Sequence, residues 1–188
     1  MSATATLQDA HAAPGHRVWR FGADIDTDVL APGAYMKLGI EGIAPHCLES
    51  VRPEFAGSVQ RGDVIVAGPN FGIGSSREQA AAALVQLGVA AVIAPSYNGL
   101  YFRNAFNVGL LLLTCPQAEL LQEGERLVLE PQGSGVVSTL SGRLACEPVP
   151  DFLMAMVRAG GLFNQLKQRL AAPPASVPAN PPATPSTR

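Results

Sequence analysis

The sequence predicts an α/β fold built around short parallel strands, and three features point to it. Val64-Ile-Val-Ala67, Val89-Ala-Ala-Val-Ile-Ala94 and Leu110-Leu-Leu-Leu-Thr114 are apolar runs bounded by Gly or Pro, as expected of strands buried on both faces. Between the first two lies an Ala-rich stretch, Ser76 to Leu87, that ends at Gly88, the usual residue for a left-handed helix cap. A second helical stretch, Gly99 to Asn107, closes at Gly109, so the middle of the chain alternates β, α, β, α, β, the order of crossover units.

The remaining elements follow in chain order. Residues 1–15 read as a flexible lead. A single domain then spans residues 16–170, without an internal repeat. Leu127 to Leu129 and Val136 to Leu140 flank Gly133-Ser-Gly135 and predict a hairpin. Asp151 is placed to cap a last helix running towards Leu170, broken at Gly160-Gly161. Residues 171–188 contain six prolines among Ala, Ser, Thr, Asn and Val, a composition that cannot bury a core, and are expected to be a disordered tail.

Composition narrows the function. Hydrophobic residues make up 47% and charged residues 15%, and no run approaches the roughly 20 apolar residues of a membrane span. Thirteen Lys and Arg against fifteen Asp and Glu give a net charge of -2 with no basic block, which disfavours nucleic acid as a partner. Cys47, Cys115 and Cys146 are odd in number and far apart in sequence, fitting neither a disulfide framework nor a metal knuckle; they read as reduced structural thiols, and no metal site is expected in this chain. The first residues carry neither an apolar nor a basic cluster, so a cytoplasmic location is expected.

The chemistry concentrates in Gly68-Pro-Asn-Phe-Gly-Ile-Gly-Ser-Ser-Arg-Glu-Gln-Ala80, which leaves a strand, passes through glycines and enters a helix. Gly72 and Gly74 permit close backbone approach, and a helix start offers N–H groups and partial positive charge to an anion. Ser75 and Glu78 stand at capping-box spacing, so Ser75 reads either as a helix cap or as a functional group. Arg77 falls in the expected first turn, where a cation opposes the helix dipole, and this points to an anionic ligand. A phosphate-binding Walker loop, a dinucleotide fingerprint and a GxSxG elbow are all absent, and His11, His16 and His46 complete no serine hydrolase order.

Gly72-Ile-Gly-Ser-Ser-Arg-Glu78, preceded by Asp24-Ile-Asp-Thr-Asp28 and followed by Tyr101-Phe-Arg-Asn-Ala-Phe-Asn-Val-Gly109, resembles the swivelling domain of the aconitase superfamily. Within that superfamily the match is nearest to the small subunits of 3-isopropylmalate dehydratases. The resemblance runs from about Phe21 to Cys115 and includes Pro53-Glu-Phe55 and Gly62-Asp-Val-Ile-Val66. It implies a β/β/α swivelling fold and a separate large subunit holding a [4Fe-4S] cluster, whose iron acts as a Lewis acid while water leaves and re-enters a branched malate. This chain would then be half an enzyme, with leucine synthesis as its setting.

The same resemblance implies residue roles. Ser75 is the base that takes the proton beside a carboxylate, a task that needs a desolvated site with donors aimed at the oxygen. Ser76 and Arg77 bind substrate carboxylate, Arg77 as a bidentate fork. Asp28 orients the site and Thr27 supports its turn, a reading preferred to calcium binding by Asp24, Asp26 and Asp28 or to a plain Asx turn. Tyr35 and Lys37 lie in Pro32-Gly-Ala-Tyr-Met-Lys37, which matches the family's substrate-specificity loop; Lys37 faces the substrate's variable arm or is merely solvated, and both readings stand. Asn104 and Asn107 hydrogen-bond the glycine loop or lie on a helix surface.

Four positions depart from the family pattern: Ala34 and Gly99 replace arginines of some relatives, Ile73 replaces a frequent cysteine, and Gly39 removes an arginine used by tricarboxylate-handling members. Gly39 therefore argues against citrate or homoaconitate. Two alternatives remain beside isopropylmalate: a dehydratase for 2,3-dimethylmalate or citramalate, and a non-catalytic anion-binding module.

Overall fold

The structure, a computed structural model, describes residues 15–171. Seven strands among the described residues form one mixed sheet: β1 (His16–Arg20), β2 (Val64–Val66), β3 (Ala91–Ala94), β4 (Leu111–Thr114), β5 (Arg126–Leu129), β6 (Gly135–Ser138) and β7 (Gly142–Ala145). Their order is β4-β3-β2-β1-β5-β6-β7. The first four run parallel, with Val18 beside Val64, Val64 beside Ala91 and Ala91 beside Leu111. β5 joins β1 antiparallel, and β5 to β7 continue as an antiparallel meander.

Parallel neighbours need crossovers, and seven α-helices among the described residues meet this need or cover the sheet. α1 (Thr27–Leu30), α2 (Gly39–Ile43) and α3 (Phe55–Ser58) lie between β1 and β2, α4 (Glu78–Gln86) between β2 and β3, and α5 (Gly99–Asn107) between β3 and β4. α6 (Asp151–Ala159) and α7 (Leu162–Ala171) follow the meander. α4 packs against α1, α2 and α5. Its Ala80, Ala81, Ala83 and Leu84 are fully buried, which explains the alanine run: small side chains let the helices approach one another closely. Trp19 and Phe21 meet Phe55 edge-on, at 5.2 and 5.4 Å between ring centroids, and close the β1 end of the core.

The expected strands and the helix Gly99 to Asn107 are present, and Gly160, with φ of 74°, separates α6 from α7 as anticipated. Three local expectations are corrected. The Ala-rich helix begins at Glu78 rather than Ser76. Asp151 is the first helical residue after Pro150, so it places a negative charge in the first turn instead of capping. The second arm of the hairpin stops at Ser138, whose hydroxyl accepts from the N–H groups of Leu140 and Ser141, and that tight turn leads into β7.

β1 and β7 carried no readable strand signal. β1 mixes His16, Arg17 and Arg20 with Val18 and Trp19, because an antiparallel partner and an ion pair replace full burial on one side. The expected lead and tail fall outside the described residues, except Gly15, which hydrogen-bonds Arg126 through its carbonyl, and Ala171, which ends α7.

Candidate active site

The parallel pairing of β1 with β2 does not stop where the strands end. Gly68 N–H bonds the Gly22 carbonyl (3.0 Å), Asp24 N–H that of Pro69 (3.0 Å), Gly72 N–H that of Ile25 (2.7 Å) and Thr27 N–H that of Ile73 (2.8 Å). The aspartate loop and the glycine loop are thus zipped together beyond the carboxyl ends of the parallel strands, where open α/β sheets bind their ligands. The β3–α5 loop joins them, with Phe71 N–H bonded to Ser96 and Asn98 N–H to Phe71. Asp24 and Asn70 both adopt positive φ (57° and 67°), and the Asn70 amide donates to Asp24 Oδ1 (2.8 Å) while its N–H bonds Ser96 Oγ (2.9 Å). Asn70 and Ser96 escaped notice in the sequence because their role lies in bridging three distant loops.

Gly72 and Gly74 are required by contacts. A Cβ on Gly72 would sit 2.1 Å from Cγ of Tyr101, and one on Gly74 would sit 2.7 Å from the Asp26 carboxylate. Both have positive φ, 80° and 96°. Asp26 in turn caps α1, accepting from Asp28 N–H at 2.6 Å. The Asx-type bond therefore belongs to Asp26, which leaves the Asp28 carboxylate available elsewhere.

The three aspartates do not converge. Asp24 takes Asn70, Asp26 takes the start of α1, and Asp28 pairs with Arg77. Among the described residues no group of three or more His, Cys, Asp or Glu is arranged to hold a metal ion.

Ser75 lies two residues before the helix boundary. Arg77 is the N-cap of α4 and no side chain caps it, while Arg77 N–H bonds the Ser75 carbonyl (2.7 Å) in a tight turn. The capping reading of Ser75 is thereby replaced: Ser75 and Ser76 are exposed, and neither hydroxyl has a hydrogen-bond partner among the described residues. Arg77 is likewise outside the first turn. Its Nη1 ion-pairs with Asp28 and donates to the Ala31 carbonyl (3.1 Å), so Arg77 spans α1 from its first turn to its C-cap. Nε and Nη2 have no partner among the described residues.

The other expected site residues are placed as follows. Thr27 is buried; its N–H holds the loop zipper, and its hydroxyl has no partner among the described residues. Tyr35 and Lys37 occupy a 3₁₀ turn, Gly33–Leu38, with Tyr35 half-buried and Lys37 exposed. Asn104 is buried on α5 and Asn107 ends that helix; no side-chain hydrogen bond joins either to the glycine loop among the described residues. Asn98 caps α5 instead, accepting from Leu100 and Tyr101 N–H, and so fixes the ring that backs Gly72. Cys47, Cys115 and Cys146 are free and buried, and burial pushes the Cys47 thiol far up. Cys115 and Cys146, distant in sequence, come close where Glu147 N–H bonds the Thr114 carbonyl (2.8 Å), and each thiol perturbs the other, Cys115 downwards and Cys146 upwards.

A mixed sheet thus presents a serine, an arginine and an aspartate on zipped loops beyond its parallel strand ends. The Aconitase C-terminal domain family model matches residues 54–118. The chain is 44% identical over 153 residues to the 3-isopropylmalate dehydratase small subunit 1 of Archaeoglobus fulgidus, covering 80% of this chain and 95% of that one. A methanogen homoaconitase small subunit from Methanothermobacter thermautotrophicus is 40% identical over 151 residues, covering 79% and 87%. A crystal structure of 3-isopropylmalate dehydratase from Methanocaldococcus jannaschii superposes with a TM-score of 0.77 at 38% identity, covering 82% of this chain and 93% of that chain. The chain belongs to the family of 3-isopropylmalate dehydratase small subunits.

Proposed function

We propose that this chain is the small subunit of a hydro-lyase that interconverts 2-isopropylmalate and 3-isopropylmalate through loss and return of water, in leucine biosynthesis and in the cytoplasm. The observation that carries the reading is Arg77. Asp28 and the Ala31 carbonyl hold Nη1, and among the described residues Nε and Nη2 have no partner, a free planar fork on the residue that follows the unpartnered hydroxyls of Ser75 and Ser76 in the chain. Such a fork suits a carboxylate, and a malate carries one next to the carbon that loses its proton.

In this reading Ser75 takes that proton, Ser76 and Arg77 bind the adjacent carboxylate, and Asp28 keeps Arg77 aimed. Thr27, Gly72 and Gly74 maintain the loop zipper. Tyr35 and Lys37 face the variable arm of the substrate, and Asn104 and Asn107 serve the α5 side of the site. Ser75 is exposed in the isolated chain, whereas a serine base needs exclusion of water. A large subunit that closes over the loop provides it. We assign to that subunit a [4Fe-4S] cluster, which supplies Lewis acidity at the departing hydroxyl; among the described residues of this chain no group of three or more His, Cys, Asp or Glu is arranged to hold a metal ion, and its part is binding and proton transfer.

The relative named for homoaconitase makes a tricarboxylate the competing substrate. Gly39, exposed and with φ of 70°, brings no side chain of its own to a third carboxylate, which favours a branched malate, while Lys37 on the same segment is the cation that a tricarboxylate would use. The test is reconstitution of the full chain with its large subunit and assay of 2-isopropylmalate, 3-isopropylmalate, 2,3-dimethylmalate, citramalate and homoaconitate. Highest kcat/KM on the isopropylmalates is expected. Turnover of homoaconitate alone, or anion binding without turnover of any substrate, would overturn the reading.

A further inference from the structure

We infer that His46 is a positioning residue that sets substrate selectivity by holding Tyr35, and that Glu49 fixes His46 for this task. The inference rests on the reading of Gly33–Leu38 as the segment facing the substrate's side arm. None of its residues is fully buried, no side chain caps it, and Gly39 at φ of 70° follows it. Tyr35 and Met36 pack against the core, and the Tyr35 ring is held from the side as well. The Tyr35 and His46 rings lie face to face, 3.5 Å between centroids and 6° from parallel. His46 Nδ1 lies 2.6 Å from Glu49 Oε2. An ionised carboxylate can only accept, so the Nδ1–H donates, and this bond fixes both the tautomer and the plane of the imidazole under the tyrosine.

The support beneath His46 is rigid. The next two residues, Cys47 and Leu48, are fully buried, Leu48 in a left-handed conformation (φ 63°) that a branched side chain adopts only when its surroundings impose it. Leu48 N–H bonds the Val29 carbonyl of α1 (2.9 Å), the helix that carries Asp28. The chain of contacts Tyr35, His46, Leu48, Val29 therefore ties the side-arm segment to the same short helix that aims Arg77. His46 keeps a third of its side chain exposed. Its stacked and hydrogen-bonded geometry is explained by what it does to Tyr35.

The experiment compares His46→Ala, His46→Phe and Glu49→Gln in the full chain, by amide hydrogen exchange of residues 33–38 and, in the reconstituted pair, by kcat/KM for 2-isopropylmalate and for the smaller citramalate. His46→Ala should speed exchange across the segment and change the ratio of the two kcat/KM values by about three- to tenfold, mainly through KM, with only a small fall in the melting temperature. His46→Phe, which keeps a flat ring but loses the bond to Glu49, should restore both in part, and Glu49→Gln should move both in the direction of His46→Ala. Equal scaling of the two substrates, or unchanged exchange in His46→Ala, would overturn the inference. Failure of the wild-type pair to turn over any malate would instead overturn the proposed function, and exchange would still report whether His46 holds the segment.

Discussion

Arg77 and Asp28 form an ion pair in which the arginine reaches back from the start of α4 to the first turn of α1 and commits only one guanidinium nitrogen. Asp28 is 61% exposed and Arg77 24%, so the pair contributes little to stability, roughly 0–1 kcal/mol. Its value is directional. Asp28→Asn should leave the unfolding free energy within about 1 kcal/mol of wild type while raising KM for the malate, because Arg77 loses its orientation. A melting transition shifted as strongly as turnover would assign the pair to folding instead.

Arg77→Lys keeps the charge and removes the planar fork. A bidentate role predicts a higher KM and a lower kcat in the reconstituted pair, with α4 intact by circular dichroism. Kinetics equal to wild type would leave charge alone as the contribution of Arg77.

Ser75→Ala separates chemistry from structure cleanly, since Ser75 is not the cap of α4. A general base is worth about 10²–10⁴-fold, so kcat should drop by at least that factor with KM little changed, and stability should change by less than about 0.5 kcal/mol. Retention of most activity would refute the proton-transfer role.

Gly72→Ala places a Cβ against the Tyr101 ring at a φ of 80°. Displacement of that buried ring should cost about 1–3 kcal/mol in denaturant unfolding and abolish activity together with stability. Tyr101→Phe should be well tolerated, because the Tyr101 hydroxyl is buried without a partner among the described residues.

Asp63 provides a pH test remote from the site. Burial raises its pKa, but hydrogen bonds from the Arg17 guanidinium, Gln60 N–H and Trp19 Nε1 outweigh this and hold it below the usual carboxylate value. A depressed folded-state pKa means stabilisation that is complete above the unfolded value of about 3.9 and is lost as pH falls through the folded value. Asp63→Asn should therefore destabilise by about 1–3 kcal/mol at neutral pH and flatten the fall in stability at acid pH. An unchanged acid limb would locate acid sensitivity in other carboxylates.

The sequence by itself determined three of the four parallel strands, β2, β3 and β4, the two crossover helices and the glycine loop, because these depend on local periodicity: three apolar runs, an alanine-rich stretch, glycines at its ends. It also carried the family motif that drew attention to Ser75, Arg77 and Asp28. Tertiary structure alone decided which of these residues meet. The spacing from Ser75 to Glu78 fitted a cap, yet the hydrogen bonds between Ile25 and Gly72 and between Thr27 and Ile73 impose a register in which the helix starts later and Arg77 turns towards α1. The bridge of Asn70 to Asp24 and the stack of Tyr35 on His46 likewise join segments that no short-range pattern connects. Contacts between loops are fixed by the strands beneath them, and the strength of each depends on geometry that exists only once the sheet has formed.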